Sequence, residues 1–213
     1  MISFRAVFFT LTLLAVASSQ AGWGPGGPRW GGGGSVAQGL TAEEAEQLSY
    51  LREEEKLARD VYQRFHDQWG LASFGNISAS EQRHMDAVLT MLNRYGLTDP
   101  ALDQPGAFSN PELQQLYDAL TAQGMDSLTA ALWVGALIEE VDMQDLDNMT
   151  ATTAKEDLIN LYAKLHCGSR NHLRAFVRQI ESRGEVYSAQ VLSQEAVDRI
   201  VDSPMERRCG RRS

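Results

Sequence analysis

Four stretches of this chain carry apolar side chains at steps of three and four, each long enough for about five helical turns or more. In the first, from Thr41 to about Trp69, Leu48, Leu51, Glu55, Ala58, Tyr62 and Phe65 share a face; Thr41 and Glu44 have capping-box spacing, and Gly70 stops the run. The second, from about Ser78 to Tyr95, aligns Ile77, Glu81, His84, Val88, Met91 and Leu92. Asp126 is placed to cap the third, which runs to about Met149 with Leu128, Leu132, Gly135, Glu139, Asp142 and Leu146 in its stripe. The fourth starts at the capping-box spacing of Thr153 and Glu156 and runs to about Arg183. Its stripe (Leu158, Leu161, Leu165, Ser169, His172, Phe176, Gln179) stays in phase across Gly168, read as a tolerated interior glycine. No segment alternates as a strand does, and no repeat of solenoid period is present. The pattern predicts an all-α four-helix bundle. Leu97 to Ser109 is a Pro/Gly-containing loop long enough for a crossover between the second and third long helices. Short helices are expected from Asn110-Pro111 to Ala122 and over about 188–201.

The ends read differently. Residues 1–21 have the form of a secretory signal peptide: Arg5, an apolar run over Ala6–Val16, and Ser19-Gln20-Ala21 as a small-x-small cleavage site. Residues 22–40 are Gly-rich and read as a flexible linker, 41–202 as the bundle domain, and 203–213 as a basic, frayed tail. The expected location is secreted or periplasmic, with no membrane association after cleavage. The net charge of -9 argues against nucleic acid as a partner, because phosphate binding needs clustered Lys and Arg. Two cysteines, Cys167 and Cys209, are too few for a disulfide framework or a four-thiolate zinc site; sequence leaves open whether they pair. No pair of Cys-x-x-Cys motifs is present, so redox chemistry would draw on an external electron donor.

Glu55, Glu81, His84, Glu139, Asp142 and His172 fall on stripes otherwise made of Leu, Val, Met and Ala. Burying such groups unpaired costs several kcal/mol each. One could find a neighbour; six, spread over four helices, call for a shared compensating charge, which a divalent metal supplies. Glu81-x-x-His84 puts a carboxylate and an imidazole one turn apart, the Glu-x-x-His element of di-iron carboxylate bundles. That donor set suits iron, with manganese as the alternative. Singly, each residue has an ordinary reading. Ser78 with Glu81 has capping-box spacing, His84 suits a hydrogen-bonded core histidine, and Glu53-Glu54-Glu55 suits a solvated charge run with at least two members facing water. Glu139 and Glu140 point about 100° apart, so one of them faces inward, and the stripe favours Glu139.

Four blocks, LREEEKLARDVY (51–62), SEQRHMDAV (80–88), IEEVDMQDL (138–146) and GSRNHLRAF (168–176), together resemble the DUF2202 family, placed in the ferritin-like superfamily. The resemblance covers roughly residues 42–182 and implies a ferritin-like bundle. By likeness to ferritin and rubrerythrin, Glu55 resembles the first-helix ligand and Tyr62 the tyrosine beside the metals. Glu81 and His84 match the first Glu-x-x-His, Glu139 and Asp142 resemble the third-helix carboxylates, and His172 matches the histidine of the second motif. Ser169 stands where that second motif has glutamate, which puts the second metal position in question and keeps a mononuclear or mixed-metal site open. Two functions follow. One is an iron (or manganese) redox protein with ferroxidase, peroxidase or oxidase chemistry, oxygen or peroxide as its small-molecule substrate and Tyr62 as a catalytic group. The other is a non-catalytic secreted binding module with a vestigial site. A homodimer is compatible with either.

Overall fold

The computed structural model describes residues 39–207 and 209; the expected signal peptide and nearly all of the linker lie outside them. Six helices follow in order: α1 Ala42–Trp69, α2 Ala72–Arg94, α3 Pro111–Gly124, α4 Leu128–Thr152, α5 Glu156–Glu181 and α6 Gln194–Val201. No strand occurs among the described residues. α1 packs chiefly on α2 and α4 chiefly on α5, while α1 also meets α4 and α2 meets α5, so the four long helices close into a bundle. α3 lies against α1 and α4, and α6 against α5.

Several helix ends differ from the sequence expectation for local reasons. α2 begins at Ala72, six residues early, because Gly70 turns the chain in the left-handed region (φ 64°) and the next helix starts almost at once. Gly75 does not interrupt it, since the space a side chain would need is filled by the His66 ring. Ser78 is therefore mid-helix and donates to the Arg59 carbonyl rather than forming a cap with Glu81. Ser127, not Asp126, caps α4 by accepting from Ala130 N. The capping box expected at Thr153 and Glu156 does not form: Thr153 Oγ1 donates to Glu44 Oε1 (2.7 Å) and accepts from Lys155 N.

The stripes assemble into layers. At one end Leu48, Leu51, Val88, Leu92, Leu158, Leu161 and Leu165 pack together. At the other, Tyr62, Phe65, Phe74 and Phe176 form an aromatic cluster with ring centroids 5.2–6.4 Å apart, continued by Leu132 and Leu173. Gly135 gives the Phe176 ring its place, for a Cβ there would lie 2.8 Å from that ring. Between these dry layers, at mid-bundle, sit the inward carboxylates and imidazoles.

All of Leu51–Ala58 is buried, including Arg52, Glu53, Glu54, Glu55 and Lys56, so two consecutive turns of α1 have no wet side. The expectation that two of Glu53, Glu54 and Glu55 face water fails because the segment between α2 and α3 covers Glu53, while Glu54 turns toward Asp142 of α4. Arg52 grips Asp99 through Nε (3.0 Å) and Nη2 (2.8 Å). Lys56 Nζ reaches Asp60 (2.6 Å) and the Gln104 carbonyl and sits over the Phe108 ring. Gly106 N donates to Asp60, while Ser109 N and Asn110 N donate to Glu53. Arg52, Glu53, Lys56 and Asp60 thus each find an opposite charge or backbone dipole, which is the condition for burying them.

The segment after residue 202, expected to fray, is fastened where it is described. Glu206 pairs with Arg170 (2.6 Å) and Arg174 (3.1 Å), and Cys209 is disulfide-bonded to Cys167. Arg170 holds the Glu206 carboxyl down to about 2.

Candidate metal centre

Glu81 stands at the middle of the polar layer. Its Oε2 lies 2.6 Å from His84 Nδ1, one turn along α2, and its Oε1 lies 2.7 Å from His172 Nδ1 on α5. Glu55 of α1 approaches His84 Nδ1 at 3.2 Å, and Glu139 of α4 approaches His172 Nδ1 at 3.4 Å. Two groups of possible ligand atoms result, Glu55–Glu81–His84 and Glu81–Glu139–His172, each with its atoms within 4.8 Å of one another and with Glu81 shared. The two imidazole rings stack at 5.6 Å between centroids.

Whether these residues suit a cation can be tested on their unused valences. Glu54 Oε2, Glu55 Oε1, Glu81 Oε1, Asp142 Oδ1 and His172 Nδ1 are buried without a hydrogen-bond partner; they make up five of the eight such side-chain atoms among the described residues. His172 Nδ1 and Glu81 Oε1 are within ion-pair distance yet lack hydrogen-bond alignment. Orphaned buried polar atoms are rare in folded proteins, and a place for a bound ion is one accepted reason for them. The donor set, carboxylate oxygen with imidazole nitrogen, fits iron or manganese.

Electrostatics say the same. Burial drives the Glu55 carboxyl up to about 7 despite the opposing pull of His84, and burial also raises Glu139. Burial alone would lower His172, but Glu81 and Glu139 outweigh it and carry the imidazole to about 10; Glu81 and Glu55 likewise raise His84. Burial opposes ionisation of Glu81 as well, yet His172 and His84 together hold it below the ordinary carboxylate range. Without a cation, protons on the two imidazoles supply the missing positive charge.

Asp142 stands beside these groups rather than within them. Its Oδ2 contacts the Ser169 hydroxyl, which also lies 3.0 Å from the Leu165 carbonyl, while Oδ1 is unpartnered. Ser169 therefore tethers Asp142. Tyr62 OH donates to Glu139 Oε1 (2.6 Å) and contacts neither imidazole; burial, then Glu139, raises its pKa, so it remains a donor. It fixes one oxygen of Glu139 and leaves the other facing His172. Gly168 is a fitting residue rather than a tolerated one: a Cβ there would lie 2.5 Å from His84 Nε2.

Glu139 and Glu140 divide as the stripe suggests. Glu140, fully buried, accepts from Tyr187 OH and from the backbone N–H groups of Gln190, Val191 and Leu192, the last two at 2.7 Å. It clasps the segment between α5 and α6. Glu140→Ala leaves those donors unpaired and should cost about 2–3 kcal/mol. Urea unfolding should show that loss while the metal content of the folded protein stays unchanged; a fall in metal content would mean Glu140 reaches the centre.

Comparison with known proteins accords with this architecture. The profile of an uncharacterized protein domain, DUF2202, matches residues 44–204. The chain is 46% identical over 171 residues to the uncharacterized protein MJ0754 of Methanocaldococcus jannaschii, covering 80% of this chain and 92% of that one. A crystal structure of hypothetical protein MJ0754 superposes with a TM-score of 0.77 at 45% identity, over 78% of this chain and 96% of the other. The chain belongs to the DUF2202 family.

Proposed function

We propose that this protein is an exported, ferritin-like metalloprotein whose mid-bundle centre holds one or two iron ions, with manganese as the alternative, and that it reacts with oxygen or peroxide. The observation that carries the reading is the convergence of both Glu81 oxygens on two imidazole Nδ1 atoms, ringed by carboxylate oxygens that have no other partner. Glu55, Glu81 and His84 would hold one ion, and Glu81, Glu139 and His172 a second. Two bound ferrous ions would supply the two electrons that, with two protons, turn hydrogen peroxide into water. His84 and His172 would give up their Nδ1 protons on binding the metal. Tyr62 keeps Glu139 oriented, and the apolar layers on either side keep bulk water from the carboxylates. Reducing equivalents come from an external donor. Export is supported by the N-terminal sequence and by the Cys167–Cys209 disulfide, a bond favoured in oxidising compartments.

The competing reading is a metal-free ion-pair network in a binding module, favoured by the short approach of Glu81 to both imidazoles. Anaerobic loading of the full chain with ferrous iron separates the two. One or two ions retained per chain, at least one of them lost in His84→Ala, together with consumption of oxygen or peroxide, is the expected result. Iron near zero in both proteins rejects the metal centre. Stoichiometric iron without consumption of either oxidant reduces the proposal to metal binding alone.

A further inference from the structure

Glu139, Asp142 and Asp145 stand at three-residue steps along α4. Each step advances a helix by about 4.5 Å and turns it through about 300°, so such a row drifts steadily to one side. Burial follows the drift: Glu139 is 2% exposed, Asp142 7%, and Asp145 is half-buried. Glu54 of α1 faces the outer end of this row, where burial and then the charges of Asp142 and Asp145 raise its carboxyl.

Two independent features mark the row as more than a group of acids. Glu54 Oε2 and Asp142 Oδ1 are both unpartnered, on side chains more than nine-tenths buried. Both residues line a cavity of about 10 Å³, shared with Glu55, Ala58, Glu81 and Glu139. That is room for about one water-sized particle, and the small side chain of Ala58 helps keep it open. Among the described residues no lysine or arginine pairs with any of these carboxylates. Glu53, Asp60, Glu140 and Glu206, by contrast, are each satisfied by a cation or by backbone donors.

We propose that Glu54, Asp142 and Asp145 form an inlet site for a divalent cation that sheds its water as it enters, distinct from the two imidazole-bearing groups and opening onto them. The inference rests on the metal-centre reading and adds to it the path by which the ion arrives. Its donors are all oxygen, suited to a hard ion whose lost water they replace. Asp145 meets the ion at the surface, Glu54 and Asp142 draw it inward, and Glu55 and Glu81 receive it.

The test is the rate of loading. Metal-free full chain is mixed with Co²⁺ by stopped flow, the visible absorption of the imidazole-bound ion is followed, and bound cobalt is counted at the end point. Glu54→Gln and Asp145→Asn should reach the wild-type cobalt content about tenfold more slowly, the scale on which local charge raises association rates. Circular dichroism checks the fold; should Glu54→Gln misfold, the half-buried Asp145 carries the comparison. Loading rates within twofold of wild type overturn the inlet. A lower final cobalt content in a folded variant overturns it too, by making that residue a permanent ligand. Wild-type protein that takes up no cobalt refutes the metal centre itself.

Discussion

Glu81→Gln should abolish metal retention at both imidazoles together. Every other residue of the centre serves one group: Glu55 and His84 on one side, Glu139 and His172 on the other. Only Glu81 contributes an oxygen to each, 2.6 Å from His84 Nδ1 and 2.7 Å from His172 Nδ1. The amide keeps the shape of the side chain, so α2 and its neighbours keep their packing, but it brings no negative charge and offers one acceptor oxygen in place of two. Affinity for ferrous iron or Co²⁺ should fall by about 100-fold or more at both positions, beyond the 10–100-fold typical of removing a group that only orients a ligand. Glu55→Gln and Glu139→Gln should each weaken one position. Calorimetric titration with Co²⁺ and metal counting after desalting measure all three. Wild-type binding in Glu81→Gln would place any metal elsewhere.

Cys209→Ser should lower thermal stability by about 10 °C. The Cys167–Cys209 bond closes a sequence separation of 42 residues. Cross-linking a loop of that size removes unfolded-state entropy worth about 4 kcal/mol. For a domain of this size each kcal/mol moves the melting temperature by about 2–4 °C. The bond also anchors the segment that carries Glu206 onto Arg170 and Arg174. Scanning calorimetry of wild type, wild type with reductant, and Cys209→Ser should show the two treated samples melting together below the first. A difference under about 2 °C would mean that the Glu206 pairs alone secure the segment.

How much of this was legible in the sequence depends on how far a residue's environment comes from its own helix. Stripes and helix identities follow from periodicity, and the four long helices lie close to where the pattern puts them. The inward turn of Glu55, Glu81, His84, Glu139 and His172 follows from the same phase. The burial of Glu53 does not, because what covers it is the 99–110 segment, some fifty residues away in sequence, and Glu54 is buried instead against Asp142 of α4. The choice between Glu139 and Glu140 is decided by backbone amides at 190–192, which carry no side-chain signature. Gly168 looked permissible in a helix, whereas its lack of a Cβ is what admits the His84 ring. Asp145 had a readable signal, the three-residue step from Glu139 through Asp142, but its meaning depends on Glu54 facing it across the α1–α4 contact.

The stitching of residues 99–110 to α1 has a consequence for protein engineering. Breaking the chain there, or grafting a domain into it, loosens the partners of Arg52 and Glu53 and removes one partner each from Lys56 and Asp60, so a permutant opened in this stretch should lose stability. Positions 183–186, exposed at every residue, are where new termini or a reporter insertion belong.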